Sequence, residues 1–367
     1  MKHPGLAHLE AELAALAAAD RLRERPAPLP AGAVSFSTND YLGLAGVPVT
    51  ESAAAGSGAS RLVSGERQAH TALEASVTGW LGTEAALAFS SGYAANVGLI
   101  SALVGRDDLV VSDALNHASL IDGIRLSRAR VAITPHNDAA AVARALEGRS
   151  ERRAWVVTES YFGMDADVAP LAELRAHCDR FGAGLVVDEA HALGVLGPDG
   201  RGLAAAAGIE PDALVGTFGK AFGSQGAFVT GSATLVRWLW NQARSFVFST
   251  GLSPLLATAA RVQLERAQGE PWRRERVLRH AARIRAHLEG LGFGLPGTVG
   301  PIIPWVLGTE RAALSAQQRL HERGVHAVAI RPPTVPEAAS RIRLAASAAH
   351  EDADVDRLLQ ALSGATD

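Results

Sequence analysis

Cysteine and long apolar runs are almost absent from this chain of 367 residues. The single cysteine, Cys178, excludes an internal disulfide. Its place in a helical apolar pattern is typical of a packed residue in a reducing compartment. No apolar run is long enough to span a bilayer, and the first residues lack the apolar core of a signal peptide. We therefore expect a cytoplasmic protein.

Strong net charge and the common cofactor motifs are also missing. A net charge of −3 gives no reason to expect nucleic acid or a membrane surface as a partner. The sequence has no glycine fingerprint of a nicotinamide site after the first strand, no Walker loop and no His and Cys spacing of a metal site. We expect no bound metal.

Lysine is scarce, because Lys2 and Lys220 are the only two, against 33 arginines. Where a solvated positive charge is enough the chain uses arginine, so an interior lysine indicates a need for an amine. A buried lysine can lose its proton and form a Schiff base, whereas arginine stays charged. Lys220 follows the apolar run 213–215 and lies between Gly219 and Gly223, which predicts a strand entering a tight loop. The alternative is a surface lysine whose stem lies along the protein.

Strands and helices alternate between about residues 70 and 230. Apolar runs predict strands, with helical patterns between most of them, at 85–89, 109–112, 130–134, 154–158, 184–188, 213–217 and 226–230. This alternation is typical of an α/β fold with a mostly parallel sheet covered on both faces.

The two ends of the chain have a different pattern. Leucines at helical spacing predict an amphipathic helix near the start, and two long helices, short strands (one at 325–330) and a last helix follow residue 250. We predict three parts: an N-terminal helix and arm at 1–35, a large α/β domain at 36–250, and a smaller α+β C-terminal domain at 251–367.

Four polar features follow predicted strands, at the edge where open α/β sheets bind ligands. Ser90-Ser-Gly-Tyr93 opens a helix, and the free amides there suit a phosphate. The others are a carboxylate, two imidazoles, and a hydroxyl beside the Lys220 amine: Asp188, His191, His117 and Thr217. Each alone has a structural explanation, such as a helix cap. Together they match the phosphate, ring-nitrogen, ring-face and carbonyl contacts that pyridoxal 5′-phosphate requires.

Seven segments resemble the α-oxoamine synthases, pyridoxal-phosphate enzymes of fold type I that condense an amino acid with an acyl thioester. They are Ser37–Leu44, Gly56–Arg61, Phe89–Asn96, His117–Leu120, Val187–His191, Thr217–Lys220 and Ala329–Pro336. The resemblance implies a fold-type I pyridoxal-phosphate-dependent transferase with a large, mostly parallel-sheet domain and a smaller α+β domain. It also implies a homodimer with active sites shared between subunits.

The resemblance implies catalytic roles for four residues. Lys220 would bind the cofactor covalently and act as acid and base, and Asp188 would pair with the pyridinium nitrogen. His191 would bond the phenolic oxygen, and His117 would stack on the ring. The positions implied to bind the cofactor are Gly92, Tyr93, His117, Gly163, Asp188, His191, Thr217, Lys220 and, across the dimer, Thr250. Those implied to contact substrate are Arg23, Asn39, His117, Arg331 and Thr334, with Arg331 as a fork for a carboxylate.

The sequence departs from the family pattern at three places, one of which is an abbreviated strand before Phe36. Gly163 stands where relatives usually have serine, so only backbone can contact the cofactor there. The segment between Pro48 and Gly56 is short where a helix usually lies.

Within the family, the resemblance favours L-alanine and a pimeloyl thioester of coenzyme A or a carrier protein, a step of biotin synthesis. The alternative within the family is a glycine-using member. The alternatives from other classes are a fold-type I aminotransferase and a non-catalytic subunit. Six arginines between Trp272 and Arg285 could form a docking face for coenzyme A phosphates or an acidic carrier, but a solvated helix face is the favoured interpretation.

Overall fold

The computed structural model describes residues 6–25, 28–295 and 297–364, so Lys2 lies outside the described residues. The described residues form two compact units. One comprises those within 1–38, 279–346 and 350–367, and the other comprises 39–278 and 347–349. The first and last parts of the chain therefore belong to one unit. The borders predicted at 35 and 250, drawn from sequence pattern, remain predictions.

The helices and strands follow one another along the whole described chain. The helices are α1 (His8–Ala18), α2 (Gln68–Leu81), α3 (Gly92–Leu103), α4 (Ala118–Ser127), α5 (Ala139–Glu147), α6 (Leu171–Phe181), α7 (Gly202–Ala206), α8 (Ala233–Gln242), α9 (Arg244–Val247), α10 (Pro254–Gly269), α11 (Trp272–Gly290), α12 (Glu310–Glu322) and α13 (Asp352–Ser363). The strands are β1 (Val34–Ser35), β2 (Ala85–Phe89), β3 (Asp108–Asp113), β4 (Arg130–Thr134), β5 (Arg153–Glu159), β6 (Gly184–Asp188), β7 (Ala213–Thr217), β8 (Ala227–Gly231), β9 (Ile302–Gly308), β10 (Val325–His326), β11 (Ala329–Ile330) and β12 (Ser340–Ala345).

The larger unit is built on a seven-stranded sheet with the order β2-β8-β7-β6-β5-β3-β4. Strand β8 is antiparallel to both of its neighbours, and the other neighbouring pairs are parallel. The predicted mostly parallel α/β architecture is confirmed. The interior strand β7 is buried along its whole length, which is why it appears in the sequence as an uninterrupted apolar run.

The parallel strands bring their carboxyl ends to one edge of this sheet. Strand β3 ends at Asp113, β5 at Glu159, β6 at Asp188 and β7 at Thr217. The register places Glu159 beside Asp188. Because these ends meet at one edge, polar residues far apart in sequence form one site there.

The smaller unit contains an antiparallel sheet of order β11-β12-β9 and a parallel pair of β1 with β10. The single strand predicted at 325–330 is therefore wrong. Val325 and His326 pair with β1, whereas Ala329 and Ile330 pair with β12. The chain has to leave one ladder to enter the other, so residues 327–328 belong to neither strand.

Helix α1 forms where it was predicted, but its apolar face is not buried within this chain. Leu6, Leu9, Leu13 and Leu16 are all between 41% and 58% exposed. Helical spacing identifies a face that is apolar, but it does not identify what covers that face.

Two short helices, α8 and α9, were not predicted. Helix α8 begins after Ser232, whose hydroxyl accepts from the backbone N–H of Leu235 at 3.2 Å. This serine is an ordinary start signal that the sequence analysis did not use.

The arginines of α11 mostly bind neighbouring parts of the chain. Arg273 donates to the carbonyl oxygen of Leu42 and Arg274 to that of Ala267. Three more arginines of this helix donate hydrogen bonds to other parts of the chain: Arg276, Arg283 and Arg285. Five of the six side chains are thus engaged in structural contacts, and two of them, Arg273 and Arg283, pair with carboxylates.

Candidate active site

Lys220 lies in a tight loop between β7 and β8, as predicted. The backbone N–H of Ser224 donates to Phe218 O, and that of Gly223 donates to Lys220 O, both at 2.9 Å. Gly223 has φ +56°, and a Cβ there would lie 2.2 Å from the backbone nitrogen of Ala45. Only glycine fits, so the loop is held in one shape and Lys220 stays at the carboxyl edge of the sheet.

The start of α3 forms a cradle for an anion. Ser91 caps the helix by accepting from the N–H of Ala94 at 3.1 Å, and Gly92 and Tyr93 follow in the first turn. A Cβ on Gly92 would lie 3.8 Å from Thr217 Oγ1, so this hydroxyl faces the helix start. The helix dipole and unpaired first-turn amides favour a phosphate at this position.

The Tyr93 side chain is directed to a carboxylate on α4. Its hydroxyl donates to Asp122, and this hydrogen bond raises the pKa of Tyr93. The ring is about half exposed. The phenol of Tyr93 is therefore hydrogen-bonded to Asp122, and its backbone N–H is the group that lies at the start of α3.

Asp188 is held as a hydrogen-bond acceptor at the end of β6. Its Oδ1 accepts from the N–H of Ala190 at 2.8 Å, and its Oδ2 accepts from Asn96 Nδ2 at 2.7 Å. In the neighbouring Glu159, burial, reinforced by the Asp188 charge, raises the pKa to about 8. Glu159 therefore holds a proton near neutral pH.

His117 lies just before α4. Its Nδ1 is 2.8 Å from Ser119 Oγ and accepts from the backbone N–H of Ser119 at 3.3 Å. Burial lowers the pKa of His117, Asp188 opposes this effect and Lys220 adds to it. The imidazole is therefore neutral near pH 7.

His191 connects to the predicted substrate residue Asn39 through a tyrosine. Tyr41 Oη lies 2.8 Å from His191 Nδ1 and donates to Asn39 Oδ1 at 3.2 Å. A Cβ at Gly163 would lie 2.3 Å from His191 Nε2. With the imidazole in this position, a serine side chain at residue 163 would require the ring of His191 to shift.

The three remaining predicted substrate residues lie in the smaller unit. Arg23 Nη2 donates to Thr334 Oγ1 at 3.0 Å, and Arg331 donates to the carbonyl oxygens of Asp20 and Leu22. Arg23, Arg331 and Thr334 line one cavity of about 990 Å³, which also has an apolar wall of Leu22, Leu29, Leu314, Val328 and Ile330. The structure brings these residues together, and their roles remain predictions.

Five residues at the site were not assigned a role from the sequence. They are Tyr41, Asn96, Ser119, His136 and Glu159. Three of them, Tyr41, Asn96 and Ser119, lie inside segments that carried the family resemblance. Their polarity alone gave no signal, because their partners are distant in sequence.

His136 links two loops that border the site. Its Nδ1 lies 2.9 Å from Asp113 Oδ1 and its Nε2 lies 2.8 Å from Asp167 Oδ2. Burial disfavours the charged ring, but the hydrogen bonds to Asp113 and Asp167 outweigh it and raise the pKa of His136 to about 10. Asp113 also accepts from the N–H of Leu115, in the loop that leads to His117.

We expect His136 to make stability fall in alkaline solution. Because the folded pKa is raised above the unfolded value, the contribution is full below about pH 6.5 and is lost as pH rises to about 10. Urea midpoints measured between pH 6 and 10.5 should fall more steeply for the unmodified protein than for His136→Gln. Parallel pH curves for the two proteins would show that a charged His136 between Asp113 and Asp167 does not stabilise the fold.

Two observations concern the described residues only. Within 6–25, 28–295 and 297–364, no group of three or more His, Cys, Asp or Glu side chains is placed to hold a metal ion. In the same part of the chain, every helix is too short or too polar to cross a membrane.

The groups at the sheet edge fit pyridoxal 5′-phosphate. The start of α3 with Thr217 suits its phosphate, the acceptor-only Asp188 suits a protonated ring nitrogen, and Lys220 supplies the amine. Fold and site together define a fold-type I pyridoxal-phosphate-dependent transferase.

Comparisons with known proteins agree with this class. The family model "Aminotransferase class I and II" matches residues 31–362, and the chain belongs to that family. An 8-amino-7-oxononanoate synthase from Anaeromyxobacter dehalogenans is 51% identical over 340 residues, which cover 90% of this chain and 85% of that one. The α-oxoamine synthase resemblance found in the sequence is confirmed.

Solved structures support the same fold and cofactor. Serine palmitoyltransferase from Sphingomonas wittichii has a TM-score of 0.90 at 29% identity, covering 99% of this chain and 97% of that one. The enzyme from S. paucimobilis, solved with a bound PLP–myriocin aldimine, has a TM-score of 0.90 at 27% identity, with 98% and 97% covered. Pyridoxal 5′-phosphate is the cofactor of this protein.

Proposed function

We propose that this protein condenses L-alanine with a pimeloyl thioester to give 8-amino-7-oxononanoate, CO2 and a free thiol, in biotin synthesis. The observation that carries the proposal is the 51% identity, over 90% of the chain, to an enzyme named for that product. The solved serine palmitoyltransferases are similar at only 27–29%. A cytoplasmic location remains a prediction.

Each residue at the sheet edge has a part in this reaction. The bound cofactor supplies an electron sink for the pair released at Cα of alanine. Lys220 takes the Cα proton and later returns one. Asp188 would accept a hydrogen bond from the ring nitrogen of the cofactor and so keep that nitrogen protonated. The new C–C bond forms between alanine Cα and the acyl carbon, the thiol leaves, and the alanine carboxylate departs as CO2. His117, neutral near pH 7, can donate a hydrogen bond to the acyl oxygen.

The cavity of the smaller unit supports an acyl substrate that ends in a carboxylate. Its apolar wall suits a hydrocarbon chain, and Arg23 supplies a guanidinium group beside that wall. Arg331, which also lines the cavity, keeps its predicted role as the fork for the carboxylate of the amino acid. Burial, with the charge of Arg23 adding to it, lowers the pKa of Arg331, so an anion nearby would be stabilising.

The substrate assignment predicts a graded choice of amino acid. We expect purified protein with pimeloyl-coenzyme A to release CO2 and thiol fastest with L-alanine. Glycine lacks one methyl group, a difference worth about 1–3 kcal/mol, so its kcat/KM should be lower by roughly 10–200-fold. Measuring both products with alanine, glycine and serine tests this. A preference for glycine, or for succinyl or acetyl over pimeloyl thioesters, would assign the chain to a glycine-using branch of the family.

We also propose a homodimer in which Thr250 reaches the cofactor phosphate of the neighbouring subunit. Thr250 is exposed on its own chain, which leaves it accessible to a partner. The Lys220→Ala dimer and the Thr250→Val dimer should each have little activity when the concentration of cofactor is limiting. After subunit exchange, a mixed dimer has one unaltered site, so an equal mixture should recover about a quarter of normal activity.

The controls for this experiment are the two parent variants, each unfolded and refolded alone. Activity that stays at the mean of the parents would show that each site lies within one chain. A fully active monomer in sedimentation equilibrium would also contradict the proposal.

A further inference from the structure

A buried asparagine connects the carboxylate and the imidazole that border the cofactor site. Asn96, on α3, is 2% exposed, and its Nδ2 lies 2.7 Å from Asp188 Oδ2 and 2.9 Å from Ser119 Oγ. Ser119 Oγ is in turn 2.8 Å from His117 Nδ1. The four side chains therefore form one continuous hydrogen-bonded chain from His117 to Asp188.

The direction of each hydrogen bond in this chain follows from the carboxylate. An ionised carboxylate only accepts, so Asn96 has to present its nitrogen and not its oxygen to Asp188. The second N–H of the same nitrogen donates to Ser119 Oγ, and the Ser119 hydroxyl hydrogen is then directed to His117 Nδ1. The backbone N–H of Ser119 also donates to Nδ1. Nδ1 is therefore unprotonated, and a neutral His117 carries its proton on Nε2.

We propose that Asn96 is a positioning residue that holds Asp188 in place and, through Ser119, fixes His117 as the Nε2–H tautomer. This inference deepens the proposed function and rests on it for the reaction that His117 assists. With its proton on Nε2, His117 is a hydrogen-bond donor, as a group that stabilises a developing oxyanion has to be. The other tautomer would present an acceptor and repel that oxygen.

Packing alone does not account for an asparagine at this position. Asn96 Oδ1 is buried and has no hydrogen-bond partner among the described residues. A buried acceptor without a partner is destabilising, so leucine would suit a purely structural position on the inner face of α3. Both donors of Asn96 go to side chains of the site, and neither stabilises a backbone group.

The tautomer can be read directly in the holoenzyme by nitrogen NMR after labelling with [15N]histidine. The His117 signals are those that disappear in His117→Gln. We expect an unprotonated Nδ1 and a protonated Nε2 in the unmodified protein and in Ser119→Thr, which keeps the hydroxyl. In Ser119→Ala only the backbone contact to Nδ1 remains, and at 3.3 Å it is too long to hold one tautomer. In Asn96→Leu the Ser119 hydroxyl remains but no longer accepts from Asn96, so it can accept from Nδ1–H as well as donate to Nδ1. Both tautomers should therefore appear in each variant.

Kinetics provide the second readout and Asn116 the matched control. Asn116 is also buried and also donates to a serine hydroxyl, but its other hydrogen bond supports the backbone of β5. Asn96→Leu and Ser119→Ala should lower kcat by about 10–100-fold, with KM within about twofold and the cofactor absorbance retained. Asn116→Leu should keep the His117 tautomer.

Two results would overturn the inference. One is a protonated Nδ1 in the unmodified protein, and the other is an unchanged tautomer in Ser119→Ala, the variant that carries the test if Asn96→Leu does not fold. The NMR measurement needs no substrate. An error in the proposed substrates would therefore change the activity assays and leave the tautomer result as it is.

Discussion

Replacing Lys220 by alanine should lower kcat by more than about 10³-fold and remove the covalent link to the cofactor. In its proposed role the amine is both the nucleophile and the acid and base, and proton transfer by a positioned side chain alone contributes about 10²–10⁴-fold. Lys220 lies in a loop whose shape depends on backbone hydrogen bonds and Gly223, so the variant should fold. Lys220→Arg keeps the charge but is a poor nucleophile, and it should be equally inactive.

The scarcity of lysine makes the covalent test unusually clear. Reducing the yellow holoenzyme with borohydride and mapping its peptides offers two lysine positions, Lys2 and Lys220. The cofactor should be found on Lys220 alone, with Lys2 as the internal control. A label on Lys2, or near-normal turnover in Lys220→Arg, would refute the assigned role.

Asp188→Asn should lower kcat on the order of 10²–10³-fold while KM changes little. An amide cannot keep the ring nitrogen protonated, and the loss of the electron sink is felt only as charge develops at Cα. The cradle at the start of α3 and Lys220 remain, so the cofactor should still bind. Stopped-flow absorbance and steady-state kinetics on the same preparation separate binding from turnover.

Glu159→Gln is the matched control for this substitution. Glu159 lies beside Asp188 in the register of β5 and β6, and its pKa is raised to about 8 by burial. The group is already neutral at pH 7, so an amide should replace it with a loss of less than about threefold. Equal losses in Asp188→Asn and Glu159→Gln would show that the carboxylate charge is not what matters, and near-normal kcat in Asp188→Asn would refute its role.

The strands of the large sheet could be predicted closely from the sequence. The predicted bounds of β2, β6 and β7 agree with the structure, because a buried strand has to be apolar along its length and is bounded by polar residues or glycine. Those of β4, a mostly exposed strand at the edge of the sheet, agree as well. The same reasoning located Asp188 and Lys220, since a carboxylate and an amine at strand ends are visible as interruptions of apolar runs.

Prediction was weaker where the outcome depended on a partner strand or surface. The segment 325–330 has the composition of one strand, yet its two ends pair with different sheets. The leucines of α1 predict a covered face, yet they remain exposed within the chain. Residue type does not specify which neighbour is available.

The sequence by itself therefore determined the class of fold and the cofactor and predicted the residues that bind it, because periodicity, strand ends and chemical type are local properties. Only the tertiary structure decided how those residues are held. Asn96 and Asp188 are 92 positions apart and His136 and Asp167 are 31 apart, and each pair meets through a hydrogen bond. Such bonds depend on distance and orientation, which arise only after the sheet brings its strand ends to one edge.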